Sequence, residues 1–223
     1  VIIPIPENVL DDAEYDIWGE VKPRLVEAFG IAFDQAVLYG TNAPATWPNG
    51  ITVSAAAAGH AVNLGAGADL YDDIMAEGGL LSKVEEDGYL VTGHVAALTM
   101  KAKLRGLRDA NGVPLFNWIQ EKTRYSLDGT DLIFPLNGAI DPLSSQLISG
   151  DWSQLVYALR KDVTYKVLTE AVITDTNGSI VYNLAQQDMV AIRAVMRLGW
   201  QLPNPINRIN PNDATRYPFA VLV

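Results

Sequence analysis

The chain has 223 residues, which is enough for one large domain or two small ones. Hydrophobic residues make up 49% and charged residues 19%, as in globular proteins, and the lack of cysteine excludes disulfides and thiolate metal sites. The net charge of -10 argues against a nucleic-acid-binding protein, because phosphate binding requires clustered lysine and arginine. No stretch has the ~18 consecutive apolar residues of a membrane span, so we expect no membrane partner.

The longest predicted element is an amphipathic helix from Asp11 to Gly40, preceded by the end of a strand within residues 1–8. Its apolar residues recur at the helical period, at Tyr15, Trp18, Val21, Leu25, Phe29, Phe33 and Ala36. Asp11 or Asp12 can cap its start, and Gly40 can end it. Pro23 lacks a backbone donor and predicts a kink or restart near residue 22. We expect the aromatic face to be buried, so Phe29→Ala would cost about 3–5 kcal/mol.

The middle of the chain alternates between short predicted helices and strands. Residues 41–50 are dense in Pro, Asn and Gly, which indicates a loop and a candidate domain boundary, while residues 51–64 show no strong period. The pattern predicts a helix over 68–86, weakened by Gly78-Gly79, and a short basic helix over 98–107. Strands are predicted over 89–97 and on either side of Asp128-Gly129 within 124–140.

The last third of the chain begins with a predicted strand over 152–173, where Val163, Tyr165 and Val167 alternate with polar residues as in a half-buried strand. Asn177-Gly178 predicts a tight turn with a return strand at 180–182. Residues 184–199 have a helical or mixed pattern, and the chain ends in a predicted strand. Together the elements predict an α+β fold.

The patterns that could indicate chemistry are better explained by structural roles. His60 and His94 lie far apart and lack the spacing of zinc ligands, so we interpret both as structural polar residues. Residues Gly65–Asp69 partly match the dinucleotide-binding motif but lack its third glycine. Asp109–Gly112 and Asp175–Gly178 resemble fragments of a calcium loop, but tight turns explain them better. We therefore predict no catalytic, cofactor-binding or metal-binding residues, and no enzymatic activity.

Charged clusters suggest surface roles. The acidic pairs and runs lie on or beside predicted helices, where solvation explains them. A short basic run consists of Lys101, Lys103, Arg105 and Arg108. Because the chain is acidic overall, we interpret this run as part of an interface between subunits and not as a nucleic-acid-binding site.

Several short motifs follow one another in a characteristic order. They are Phe33–Gly40, Gly88–Val91, the sequence LRDANGVPLF, Leu127–Gly129, Ser149–Ser153, Gln187–Arg193 and Arg197–Trp200. In this order, over nearly the whole chain, they resemble the major capsid proteins of tailed bacteriophages, which have the Hong Kong 97-type fold. The closest alternative is an encapsulin-type shell, which has the same fold and encloses proteins. Electron microscopy of particles and their nucleic-acid content would distinguish the two hypotheses. An α+β enzyme with an unrecognised site is the alternative from another class.

The resemblance implies a peripheral (P) domain at 1–48, built on the long spine helix, and at 148–204. It implies an axial (A) domain at 49–147, to which residues 205–223 return. The implied role is that of a structural subunit in an icosahedral phage or prophage capsid. Its main partner would be itself, in hexamers and pentamers, with scaffolding, portal or decoration proteins as further candidates. The shell would enclose DNA without sequence-specific binding and would be assembled in the bacterial host cytoplasm.

The family also has an N-terminal arm and an extended E-loop, both located before the spine helix. This sequence begins just before that helix, so we expect it to lack both segments and the cross-linking lysine of the E-loop. On that expectation, the purified 223-residue chain would be a monomer or a small oligomer.

Overall fold

The computed structural model describes residues 1–12, 14, 16–109, 111–114 and 125–223. Its α-helices are α1 Glu7–Asp12, α2 Ile17–Tyr39, α3 Ile51–Ala57, α4 Leu70–Met75, α5 Leu80–Glu86, α6 Leu98–Gly106 and α7 Leu184–Gln187. Its strands are β1 Ile2–Pro6, β2 Ala61–Val62, β3 Gly93–Ala96, β4 Tyr125–Leu127, β5 Thr130–Ile133, β6 Leu147–Gly150, β7 Val156–Leu168, β8 Val172–Thr174, β9 Ile180–Asn183, β10 Met189–Gln201 and β11 Phe219–Leu222. The predicted α+β class is confirmed. Among the helices in these ranges, none is long and apolar enough to cross a membrane.

The chain divides into two compact units. Unit 1 comprises residues 1–30 and 157–199, and unit 2 comprises residues 31–156 and 200–223. The boundary lies within α2, so it does not coincide with the P-domain and A-domain limits expected from the sequence. Those limits remain a prediction.

Unit 1 is built on a three-stranded sheet in the order β1-β10-β7. β1 pairs antiparallel with β10, with Ile3 opposite Ile192. On one face of this sheet, Leu25 of α2 is buried together with Ile192 and Ala194 of β10. Trp18, Val21, Phe29 and Val163 pack around this cluster and are partly buried. Unit 1 also contains the β8-β9 hairpin.

Unit 2 is built on a six-stranded sheet in the order β2-β11-β6-β3-β5-β4. β11 pairs parallel with β2 and antiparallel with β6, and every residue of β6 and β11 is buried. One core cluster includes Ile74, Leu80 and Val84 from α4 and α5. A second includes Val37, Ile51 and Phe219. The predicted terminal strand is thus confirmed, and it lies inside the sheet because it is apolar on both faces.

The long helix differs from its prediction at its start. The helix containing Pro23 begins at Ile17, and a separate helix, α1, ends at Asp12, so neither aspartate of the predicted cap has that role. α2 also continues through Pro23 without a restart. Its predicted end is confirmed, because Gly40 has φ +73° and its amide donates to the Ala36 carbonyl at 3.0 Å.

The helical or mixed prediction for residues 184–199 is wrong over most of its length. Only Leu184–Gln187 is helical, and Met189–Gln201 is a long strand. Its pattern of Met, Ile and Val suits either structure, and pairing with β1 decides in favour of the strand. Two other predictions also need revision. Residues 68–86 form two helices separated at Gly78-Gly79, and the strand predicted over 89–97 spans only Gly93–Ala96. Residues 51–64, for which no element was predicted, contain α3 and β2.

Candidate functional site

His60 lies inside unit 2 in a hydrogen-bonded network. Its Nε2 is 3.0 Å from Oδ2 of Asp87, and its Nδ1 is 3.0 Å from the Phe219 carbonyl oxygen. Asp87 also accepts from the Tyr217 amide and from the Asn210 side chain, each at 2.7 Å. His60 and Asp87 are both buried, so this arrangement ties the C-terminal segment to the helix end at residue 87.

Arg216 is the largest fully buried polar residue among those described, and its burial was not predicted from the sequence. Its guanidinium donates to the Asn204 side-chain oxygen and to the carbonyls of Asn204 and Asn210, at 2.8–3.2 Å. All of these acceptors come from the segment 204–210. The arginine therefore shapes an irregular part of the chain, and no motif around it signals that role.

His94 lies on β3 and is also buried. Its Nδ1 is 2.7 Å from the Ser149 hydroxyl, and its Nε2 lies near the Leu127 carbonyl and the Thr130 hydroxyl. Burial lowers the pKa of His94. The two histidines belong to separate networks, and neither network contains an exposed nucleophile.

The glycine-rich loop before α4 already holds an anionic group of the chain itself. The amides of Gly65 and Gly67 donate to the two carboxylate oxygens of Asp73 at 2.7 and 2.6 Å. Asp69 caps α4 by accepting from Tyr71 and Asp72. The loop therefore serves as an internal carboxylate site.

The described residues of both calcium-like segments make the hydrogen bonds of turns. The Oδ1 atom of Asp175 accepts from the amides of Asn177 and Ser179 at 2.8 Å each, and Gly178 has φ +84° as predicted. Asp109 makes the equivalent contacts with Asn111 and Val113. Within the described residues, no group of three or more histidine and acidic residues could hold a metal ion.

The basic residues of α6 and Arg108, two residues after it, do not converge on one point. The ammonium of Lys101 contacts the Tyr125 hydroxyl, Lys103 donates to Gln146 at 2.8 Å, and Arg108 donates to the backbone carbonyls of Arg105 and Leu107. Four other cations do converge in unit 1, where Lys161, Lys166, Arg193 and Arg197 line one shallow depression. No sequence pattern indicates this cluster, because its members lie on two strands that are distant in sequence.

Strand β7 exposes apolar side chains over much of its length. The exposed residues are Val156, Tyr157, Leu159, Tyr165 and Val167, and the neighbouring hairpin adds Val172, Ile180, Val181 and Tyr182. The prediction that one face of this strand is buried is therefore wrong, since only Val163 and Leu168 of β7 are partly buried. Large exposed apolar side chains in such number are typical of protein interfaces.

Comparison with known proteins gives a consistent result. The model of the phage capsid family matches residues 1–209. The major capsid protein of Staphylococcus phage 80alpha is 26% identical over 202 residues, which cover 89% of this chain and 58% of that protein. The chain thus spans less than two thirds of that curated relative.

Solved structures agree over the whole chain. A chain from Microbacterium phage Oxtober96 is 36% identical with a TM-score of 0.83, and this chain covers 70% of it. A chain from Mycobacterium phage Adephagia is 30% identical with a TM-score of 0.81, and 69% of it is covered. Each match covers 100% of the present chain. By sequence and by fold, the chain belongs to the phage capsid family.

Proposed function

We propose that these residues form the core of a structural subunit in an icosahedral phage or prophage capsid that encloses DNA. The observation that carries the proposal is the likeness at 36% identity and a TM-score of 0.83 that extends over all 223 residues. The subunit assembles with copies of itself into hexamers and pentamers. Its role is structural, without catalysis, and its site of assembly is the bacterial host cytoplasm.

The surface of the chain supports self-association. A shell subunit must bury apolar surface against its neighbours, and β7 and the β8-β9 hairpin offer nine large exposed apolar side chains. β7 is also an edge strand, since it ends the order β1-β10-β7. Unpaired edges are common sites of contact between chains.

The proposed domain limits are those that the family resemblance implies. Residues 1–48 and 148–204 act as the P domain, residues 49–147 act as the A domain, and residues 205–223 return to the A domain. The pairing of β11 with β2 supports the last part of this proposal, because it joins Val221 and Leu222 to a strand within residues 49–147. Scaffolding, portal and decoration proteins are proposed as further partners.

Particle formation tests the proposal. The full-length gene product containing these residues would be purified from a phage-producing culture and viewed by electron microscopy before and after nuclease treatment. We expect closed icosahedral particles whose DNA is protected from the nuclease. Closed particles filled with a protein cargo would contradict DNA enclosure, and a uniformly monomeric product would contradict the shell role itself.

A further inference from the structure

Opposite faces of the three-stranded sheet in unit 1 have different chemistry. Ile192 and Ala194 of β10 pack with Leu25 of α2 on one face. Since side chains alternate along a strand, Arg193, Val195 and Arg197 lie on the other face. They line the depression there together with Thr164 and Lys166 of β7, which alternate with Val163 of the α2 face, and Lys161 also contributes to the lining.

The two strands adjoin at this depression, because the Thr164 hydroxyl donates to the Val195 carbonyl at 3.2 Å. The four cations at its edges are all exposed. Among the residues that the structure describes, no carboxylate lines the depression and none of the four cations forms an ion pair. Four like charges that line one depression repel one another, and an external anion relieves that repulsion.

We propose that this face of the β7-β10 sheet binds the phosphate backbone of double-stranded DNA without reading its sequence. Arg193 and Arg197 are four residues apart on one strand, so their Cα atoms are separated by about 13 Å. That length of duplex carries roughly eight phosphate charges, more than enough for four cations. The choice of DNA among polyanions rests on the proposed function.

The acidity of the rest of the chain limits this contact. The chain as a whole carries a net charge of -10, which repels DNA away from the depression. Binding through four residues is therefore weak and reversible. Such a contact orients enclosed DNA at the shell wall and still lets it slide.

Salt dependence of DNA binding tests the proposal on the purified protein, independently of whether particles form. Fluorescence anisotropy with a labelled duplex should give a log–log slope of affinity against salt of about -3.6 for four phosphate contacts. The variant Lys166→Gln/Arg197→Gln should reduce this slope to about -1.8. Between 50 and 200 mM salt the affinity would then fall about 12-fold in the variant, against about 150-fold in the original protein.

The matched control is Lys103→Gln/Arg105→Gln, which removes one lysine and one arginine from α6 in unit 2. It should keep the original slope, as should the charge-preserving variant Lys166→Arg/Arg197→Lys. Equal loss of slope in the test and control pairs would overturn the proposal, because net charge alone would then explain binding. It would also be overturned if Lys166→Gln/Arg197→Gln abolished self-association in sedimentation without changing DNA affinity, since the depression would then bind an acidic surface of another copy. Particles that form normally while DNA binding fails would refute this inference and leave the shell role intact.

Discussion

Asp87 illustrates how a single buried side chain can organise an irregular segment. Its carboxylate accepts from His60, Asn210 and the Tyr217 amide, groups that are far from it in sequence. A carboxylate with three donors satisfies most of its hydrogen-bonding capacity. Removing it would leave the buried His60 Nε2 and the Tyr217 amide without this acceptor, whereas the Asn210 side chain keeps its contact with the Thr215 hydroxyl at 3.2 Å.

Asp87→Ala should therefore lower the free energy of unfolding by about 1–3 kcal/mol, the usual cost of leaving a buried hydrogen-bond donor without its acceptor. The matched control is Glu86→Ala, one residue earlier and exposed, where Glu86 accepts only from Ser82. Chemical denaturation monitored by fluorescence measures both variants. If the two variants unfold at the same denaturant concentration, the network does not stabilise this part of the fold.

His94 makes stability depend on pH. Burial lowers its pKa in the folded state below the ordinary value of about 6.5 that it has when unfolded. Below that value the unfolded chain binds a proton more readily than the folded chain does, so stability falls as pH drops. Above it both states are neutral at this site, and the effect vanishes.

We therefore expect the melting temperature to fall between pH 7.5 and pH 5.5, and to fall less in His94→Gln. Glutamine retains hydrogen-bonding groups for Ser149 and Thr130 but cannot be protonated in this range. Calorimetry at the two pH values measures the difference. An unchanged pH dependence in the variant would show that His94 does not contribute to it.

At the scale of single elements, α2 packs against the sheet of unit 1 through one of its faces. Leu25 is only 3% exposed, whereas Val26, the next residue, is 51% exposed. Phe29 lies on the same face as Leu25 but is only partly buried. The cost of 3–5 kcal/mol expected for Phe29→Ala applies to a fully buried ring, so the measured cost should be smaller.

Leu25→Ala should destabilise the protein by about 2–5 kcal/mol, because it opens a cavity against Ile192 and Ala194. Val26→Ala serves as the control in the same helical turn, with an expected cost below about 1 kcal/mol. Thermal unfolding followed by circular dichroism separates the two variants. Equal costs would mean that α2 does not pack against the sheet through the Leu25 face.

At the scale of the whole molecule, the apolar surface of β7 connects the fold with assembly. Leu159 is 51% exposed and lies on the edge strand. Leu159→Asp should leave the melting temperature of the unassembled protein nearly unchanged, since little burial is lost. It should prevent particle formation, because a charge would have to be buried in the contact between subunits.

Gln186→Glu provides the control for assembly, since it adds the same charge to an exposed polar position on α7. Light scattering and electron microscopy of the full-length gene product would compare the two variants. Normal particles from Leu159→Asp would show that β7 is not part of a subunit contact.

Several features of this protein were determined by the sequence itself. The end of the long helix at Gly40, the turn at Asp128-Gly129 and the turn at Asn177-Gly178 depend on local backbone preferences, and all three occur as predicted. The family membership was also predictable, because the order of short motifs persists when individual motifs are weak. Glycine-rich and aspartate-rich segments were correctly interpreted as turns and loops for the same local reason.

Tertiary structure alone decided the remaining features. The apolar residues of β10 fit a helix or a strand equally well, and pairing with β1, nearly 190 positions away in sequence, selects the strand. Arg216 became a buried anchor only because carbonyls of segment 204–210 surround it. The four cations of unit 1 form one cluster only because β7 and β10 adjoin. Contacts between distant segments leave no local pattern, since each partner is set by the free energy of the whole fold.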